Sequence, residues 1–253
     1  MTNESRIWTA ALIVVGDEIL SGRTQDKNIA QVASWLGVQG IRLREVRVVP
    51  DVMEAIVEAV NSLRARNDYL FTTGGIGPTH DDITVDAVAQ ALGVDVVIHP
   101  QARAILESYY ETRGGLNDAR LRMARVPDGA SLIENRVSGA PGIHAENVYL
   151  MAGVPSITAQ MLDGLTGQLE GGLPLLSITV GCWVAESEIS DLLRETEIAF
   201  EGCQIGSYPF FREGKVGANF VIRSVSQQLL DACAQQLADR LAAIGRLPVP
   251  GGI

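Results

Sequence analysis

Residues 9–16, TAALIVVG, form an unbroken apolar run closed by a glycine, the pattern of a strand buried on both faces of a sheet. The period then changes. In DKNIAQVASWLGVQG (26–40), Ile29, Val32, Ala33 and Leu36 recur at helical spacing, and Gly37 or Gly40 ends the helix. IRLREVRVVP (41–50) alternates apolar and charged residues, so it reads as a strand nearer the sheet edge. An amphipathic helix follows Pro50, with Asp51 at its start as an N-cap candidate. DYLFTTGG is a third strand, DITVDAVAQALG a third helix, VDVVIHP (94–100) a fourth strand and QARAILESYYETRG a further helix. Strands alternating with helices predict a mostly parallel sheet with right-handed crossovers and helices on both faces, an α/β fold in three layers, α/β/α.

After about residue 125 the pattern is different. SLIENRVSGAPGIHAENVYLMAGVP reads as two β segments around a Gly/Pro-rich turn, and 156–168 as a short helix. LEGGLP (169–174) is the best linker candidate, which divides the chain into residues 1–170 and 171–253. Beyond it a strand, a helix, a hairpin and a helix spell β-α-β-β-α, a small C-terminal α+β domain. The aromatic cluster GSYPFF (206–211) is expected in its core. RLPVPGGI (246–253) is expected to be a frayed tail.

Composition narrows the function classes. The chain has 253 residues, 47% of them hydrophobic, with 26 glycines, enough to bury a substantial core. A net charge of −10 argues against contact with a nucleic-acid backbone, though not against small anions beside a metal or a glycine loop. Three cysteines without CxxC spacing read as free thiols in a reducing compartment. No apolar run approaches the roughly 20 residues that span a bilayer, and the first ten residues lack signal-peptide character. A cytoplasmic protein is the expectation.

Chemistry concentrates where the first three strands end. In an open parallel sheet, ligands bind outside the carboxyl ends of the strands. The first strand ends in VGDEILSG, the second before Asp51, and the third in TTGGIGPTHDD. That edge therefore collects Asp17, Glu18, Asp51, Asp81 and Asp82 beside Gly74, Gly75 and Gly77. Bare glycine backbone suits an anion, and carboxylates next to an anion suit a divalent ion between the two. Bland alternatives stand beside each piece. Thr79-His-Asp-Asp82 also fits a capping box, Asp17-Glu18 a solvated turn, and His80 a plain loop residue. The glycines match neither a Walker A loop nor a dinucleotide fingerprint.

GDEILSGRTQDKN, TTGGIGPTHDDIT, APG and GVP together resemble the N-terminal domain of the competence- and damage-inducible protein A (CinA) family, a domain shared with the molybdopterin-binding proteins of molybdenum-cofactor biosynthesis. The resemblance covers roughly residues 9–168. IGSYPFFREGKVGAN is similar to the region that follows this domain in stand-alone members and in some FAD synthases. The amidohydrolase domain of full-length members has no counterpart in this sequence, so nicotinamide-mononucleotide deamidation is not implied. What the resemblance implies is a molybdopterin-binding-domain-like fold with a pocket for a phosphorylated pterin or nucleotide. That pocket would be formed by Gly16, Asp17 and Glu18, by Gly74, Gly75, Gly77, Pro78 and Thr79, and by Ala140, Pro141 and Gly142. By position, Asp51 and Asp82 match two aspartates needed for chemistry in molybdopterin adenylyltransferases. Asp81-Asp82 replaces an Arg-Asp pair of the cofactor-synthesis enzymes. Ala152 and Arg136 stand where the family more often has proline, and Ile157 where it has an acidic residue.

The doubled carboxylate fits the activity associated with the CinA branch, divalent-metal-dependent hydrolysis of nucleotide pyrophosphates such as ADP-ribose or FAD. The expectation is that Asp81 and Asp82, with Asp17, hold Mg²⁺, Mn²⁺ or Co²⁺ against the pyrophosphate, while Asp51 orients the attacking water. Backbone N–H groups of Gly74, Gly75 and Gly77 would cradle a phosphate. Two alternatives are a molybdopterin-binding or adenylylating protein and a non-catalytic binding module. Homo-oligomerisation is expected from the resemblance alone.

Overall fold

The computed structural model describes residues 6–253. The chain forms two compact units, Met1–Gly172 and Leu173–Ile253. In the first, β1 (Trp8–Val15), α1 (Asp17–Leu20), α2 (Asn28–Val38), β2 (Ile41–Val49), α3 (Met53–Arg64), β3 (Tyr69–Thr73) and α4 (Thr84–Leu92) follow the expected alternation. An excursion then carries β4 (Val96–Ile98), α5 (Pro100–Tyr110), α6 (Asp118–Leu121) and β5 (Arg125–Pro127). The chain returns through β6 (Ser131–Ile133), β7 (Gly142–Ala145), β8 (Val148–Met151) and α7 (Pro155–Leu165).

The main sheet runs β2-β1-β3-β8-β7-β6, parallel from β2 to β8 and antiparallel beyond. Strand β1, paired on both sides, explains the layers. Ala11, Ile13 and Val15 of β1 pack on the α3/α4 side with Ile56, Val60 and Val88. Ala10, Leu12 and Val14 pack on the α2/α7 side with Val32, Leu36 and Met161. Removing both faces of one strand from water is what an unbroken apolar run supplies.

Two expectations for this unit are corrected. Residues 94–100 do not form a fourth parallel strand: β4 pairs antiparallel with β5 in a separate two-stranded sheet. Val97 and Ile98 are 38% and 40% exposed, so this segment cannot sit inside a covered sheet, and β8 takes the place beside β3. The 131–155 stretch holds three strands, not two, because Glu146 adopts a positive φ of 52° and lets β7 turn directly into β8.

The second unit contains β9 (Leu176–Cys182), α8 (Glu186–Ala199), β10 (Gln204–Arg212), β11 (Lys215–Ser224), α9 (Gln227–Ala243) and β12 (Pro248–Pro250). Its antiparallel sheet runs β10-β11-β9-β12. The expected frayed tail is therefore the fourth strand: β12 pairs with β9, and the Asn219 side chain exchanges two hydrogen bonds with Ile253. Prolines 248 and 250 fit there because an edge strand leaves one row of backbone groups unpaired. The aromatic cluster is not core either. Phe211 is 74% and Tyr208 47% exposed on edge strand β10, while Phe210 packs edge-on against Trp183 at 5.3 Å. All three cysteines are free and buried in this unit. Among the described residues no helix is long and apolar enough to cross a membrane.

Candidate functional site

Four loops leave the carboxyl ends of β1, β2, β3 and β8 and line a cleft of about 670 Å³, within the usual size of a small-molecule site. The glycine loop after β3 is held by specific contacts. The Gly74 N–H donates to Met151 O at 3.1 Å, the Thr84 hydroxyl donates to Gly74 O at 2.9 Å, and the Thr84 N–H donates to Gly75 O at 2.9 Å. Gly74 and Gly75 have φ of +97° and +68°, where a side chain is strained. Gly74 therefore cannot offer its N–H to a ligand, which corrects that part of the expected cradle. No acceptor engages the N–H groups of Gly75, Ile76 and Gly77 among the described residues, and all three residues line the cleft.

Asp82 lies at the end of this loop, and its role as a cap is local. Its carboxylate Oδ2 accepts the Thr79 N–H at 2.7 Å and the Thr79 hydroxyl, and its own N–H donates to Thr79 O at 3.3 Å. These contacts close a turn over 79–82 and do not cap α4, which begins two residues later at Thr84 behind Ile83. Asp82 lines the cleft from that turn, together with Gly77, Pro78 and Asp81. Thr79 braces the turn from outside the lining, and His80 is exposed.

Asp51 departs from its expected place as an N-cap. The Val52 N–H donates back to Pro50 O at 2.8 Å, and this tight turn rotates Asp51 away from α3, whose first turn has no side-chain cap. Its Oδ2 instead accepts the Asp17 N–H at 3.0 Å, joining the loops after β1 and β2. Gly16, Glu18 and Asp51 line the cleft; the Asp17 side chain is exposed outside it, so its backbone is the part that reaches Asp51. Ala140 lines the opposite part of the wall, whereas Pro141 and Gly142 are buried behind it. Ala152 and Ile157 line the cleft, while the Arg136 guanidinium forms an exposed pair with Glu134.

Three residues that position this wall, Asn28, Gln31 and Thr84, were not singled out from the sequence. Buried Asn28 donates from Nδ2 to Gly153 O at 2.8 Å, and Gln31 bonds both Asn28 and Pro155 O, tying α2 to the loop after β8. Thr84 anchors both glycines, as described. The available signal was a polar residue on an otherwise apolar helical stripe, which asks for a buried hydrogen-bond partner.

Burial, and then the charges of Asp17, Glu18 and Asp81, push the Asp51 carboxyl above its ordinary range, against the Asp17 N–H that favours its ionised form. A carboxyl whose folded value is raised costs stability at pH above its unfolded value, and that cost is relieved as pH falls through the folded value. Asp51→Asn keeps an oxygen acceptor for Asp17 and removes the charge. Its melting temperature is expected to exceed that of the parent protein at neutral pH without added metal, with the difference vanishing under acid; a lower melting temperature at pH 7 would contradict this.

The oxygen-only donor set of Asp51, Asp81 and Asp82 matches a hard cation, but among the described residues no three His, Cys, Asp or Glu side chains stand close enough to chelate one by themselves. Mg²⁺-type ions are commonly held by one or two carboxylates together with the phosphates of a ligand, so the residues fit an ion shared in that way.

Residues 11–171 match the family described as Probable molybdopterin binding domain, and residues 174–247 match FAD synthase, middle domain. Protein PAE0875 of Pyrobaculum aerophilum is 42% identical over 253 residues, covering 94% of each chain. A CinA-like protein of Citrifermentans bemidjiense is 36% identical over 193 residues, which are 72% of this chain and 46% of that one. The crystal structure of CinA from Thermoplasma acidophilum, a protein described there as of unknown function, shares 33% identity at a TM-score of 0.60, covering 64% of this chain and 98% of that chain. By its first unit the chain belongs to the molybdopterin-binding-domain family, as a CinA-like member whose second unit is similar to the FAD synthase middle domain.

Proposed function

We propose that the first unit hydrolyses nucleotide pyrophosphates of the ADP-ribose or FAD type in the presence of a divalent metal. One observation carries the reading. Glu18, Asp51, Asp81 and Asp82 line the cleft, and none of its lining residues is Lys, Arg or His. A phosphate ligand in such a cleft needs a cation brought with it.

Asp81 and Asp82 would hold that ion jointly with the ligand, Mg²⁺, Mn²⁺ or Co²⁺ being the fitting choices. When bound it would polarise the phosphoryl oxygens and acidify a water. The free N–H groups of Gly75, Ile76 and Gly77 suit the developing negative charge, since fixed donors need no reorganisation during reaction. Asp51, made more basic by its burial, would orient the water and take its proton as the new P–O bond forms and the P–O–P bridge opens to two monophosphates.

A second reading, binding or adenylylation of molybdopterin, is favoured by the family description itself. The deciding experiment is a hydrolysis screen of ADP-ribose, FAD, NAD and ATP with Mg²⁺, Mn²⁺, Co²⁺ or EDTA. Cleavage to mononucleotides with metal, abolished by EDTA, is expected. A folded protein that turns over none of them sinks the hydrolase reading and favours the pterin one.

A further inference from the structure

The carboxylates and the glycine loop of the cleft account for phosphate, and its lining also includes a single aromatic residue, Tyr110, at the last position of α5. We infer that Tyr110 is the stacking platform for the planar heterocycle of the ligand. The inference rests on the preceding reading that a nucleotide-type ligand occupies the cleft.

The Tyr110 ring is held in place from several directions. The Arg120 guanidinium carbon lies 4.2 Å from its centroid, and Arg120 is not among the residues lining the cleft, whereas Tyr110 is. Arg120 is itself fixed: its Nη1 donates to Gly115 O, and its N–H donates at 2.8 Å to Asn117 Oδ1, which caps α6. Tyr109 meets the ring edge-on at 5.1 Å and 86°. Met123 and Ala140 pack in the same small cluster and also line the cleft, supplying an apolar border.

A ring so oriented offers a heterocycle an aromatic surface without first losing rotamer freedom, and every nucleobase, flavin or pterin has a π face to stack on it. Pyrophosphate lacks that face. The platform therefore separates ligands that carry a planar ring from bare phosphates. Packing alone would give Tyr110 a different signature, since it would alter stability without distinguishing the two kinds of ligand.

The test is calorimetric titration of ADP and of inorganic pyrophosphate, each with Mg²⁺, into the full chain and its Tyr110→Phe and Tyr110→Ala variants. Tyr110→Ala is expected to weaken ADP about tenfold or more and to leave pyrophosphate unchanged, while Tyr110→Phe binds both as the parent does. If Tyr110→Ala fails to fold, Tyr110→Leu keeps apolar volume without a ring and should show the same selective loss. A parent protein that binds both ligands, with variants that weaken neither or weaken both alike, overturns the platform and leaves the nucleotide reading standing. A parent protein that binds neither overturns that reading and the platform with it.

Discussion

Replacing Asp82 by alanine is expected to lower kcat/KM for the best substrate of the screen at least a hundredfold, while the protein stays folded. The carboxylate lines the cleft, and on the proposed reading it is one of the two groups that would hold the ion, so its loss would remove half of the protein's own hold on it. Its structural duty is small by comparison. It braces one turn through Thr79, a contribution of about 1 kcal/mol for a short-range hydrogen bond of this kind. Thr79→Ala removes only the hydroxyl part of this brace, since residue 79 still donates its N–H, and it keeps the carboxylate, so it should show a smaller stability loss without the hundredfold fall. Urea melts and steady-state kinetics on both variants separate the duties. If Asp82→Ala loses much stability and still turns over substrate, the turn brace is its only role.

Gly74→Ala is expected to destabilise the first unit by about 3 kcal/mol or more. At φ +97° an alanine is already strained, and its Cβ would stand 2.3 Å from the carbonyl oxygen of Val15, a backbone atom at the end of β1. That atom cannot retreat without disturbing β1. Gly77→Ala supplies the contrast. Its Cβ would meet the Asp82 carboxylate at 2.7 Å, and a side-chain end can swing aside, so folding should survive while activity falls with the displaced carboxylate. Thermal melts followed by circular dichroism check both; a Gly74→Ala protein that melts with the parent would refute the close-approach account.

Much of this arrangement was legible in the residues. The doubly buried β1, the edge position of β2 and the convergence of loops at one sheet edge follow from hydrophobic period and from the rule that parallel strands open their sites at the carboxyl end. What the period did not carry was partner choice. Val96–Ile98 has the composition of a strand, and only burial decides whether it joins the covered sheet or a small exposed one. Asp51 reads as a cap by position, yet the turn made by Pro50 and Val52 aims it at another loop. The tail after α9 reads as loose because its prolines discourage pairing, and it pairs because β9 offers an edge. For Val96–Ile98 and the tail the deciding partner lies far along the chain, where local propensity has no reach.

The excursion from β4 to β5 has a consequence for how such proteins diversify. The loops carrying Gly16, Asp51, Gly75 and Gly153 are tied to one another and to the sheet by hydrogen bonds such as Asp17 N–H to Asp51 and Gly74 N–H to Met151 O, so a length change there would displace the groups that line the cleft. The excursion is anchored differently, through packing on α4 and the Asp86–Arg125 ion pair. It can lengthen, shorten or exchange side chains without re-registering a single strand of the main sheet. Tyr110 and Met123 stand on this adaptable part, and the carboxylates stand on the rigid one. Evolution, or a protein engineer, can thus revise the Tyr110 and Met123 part of the lining while the strand-borne loops keep theirs, provided Arg122 keeps its bond to the Asp82 carbonyl.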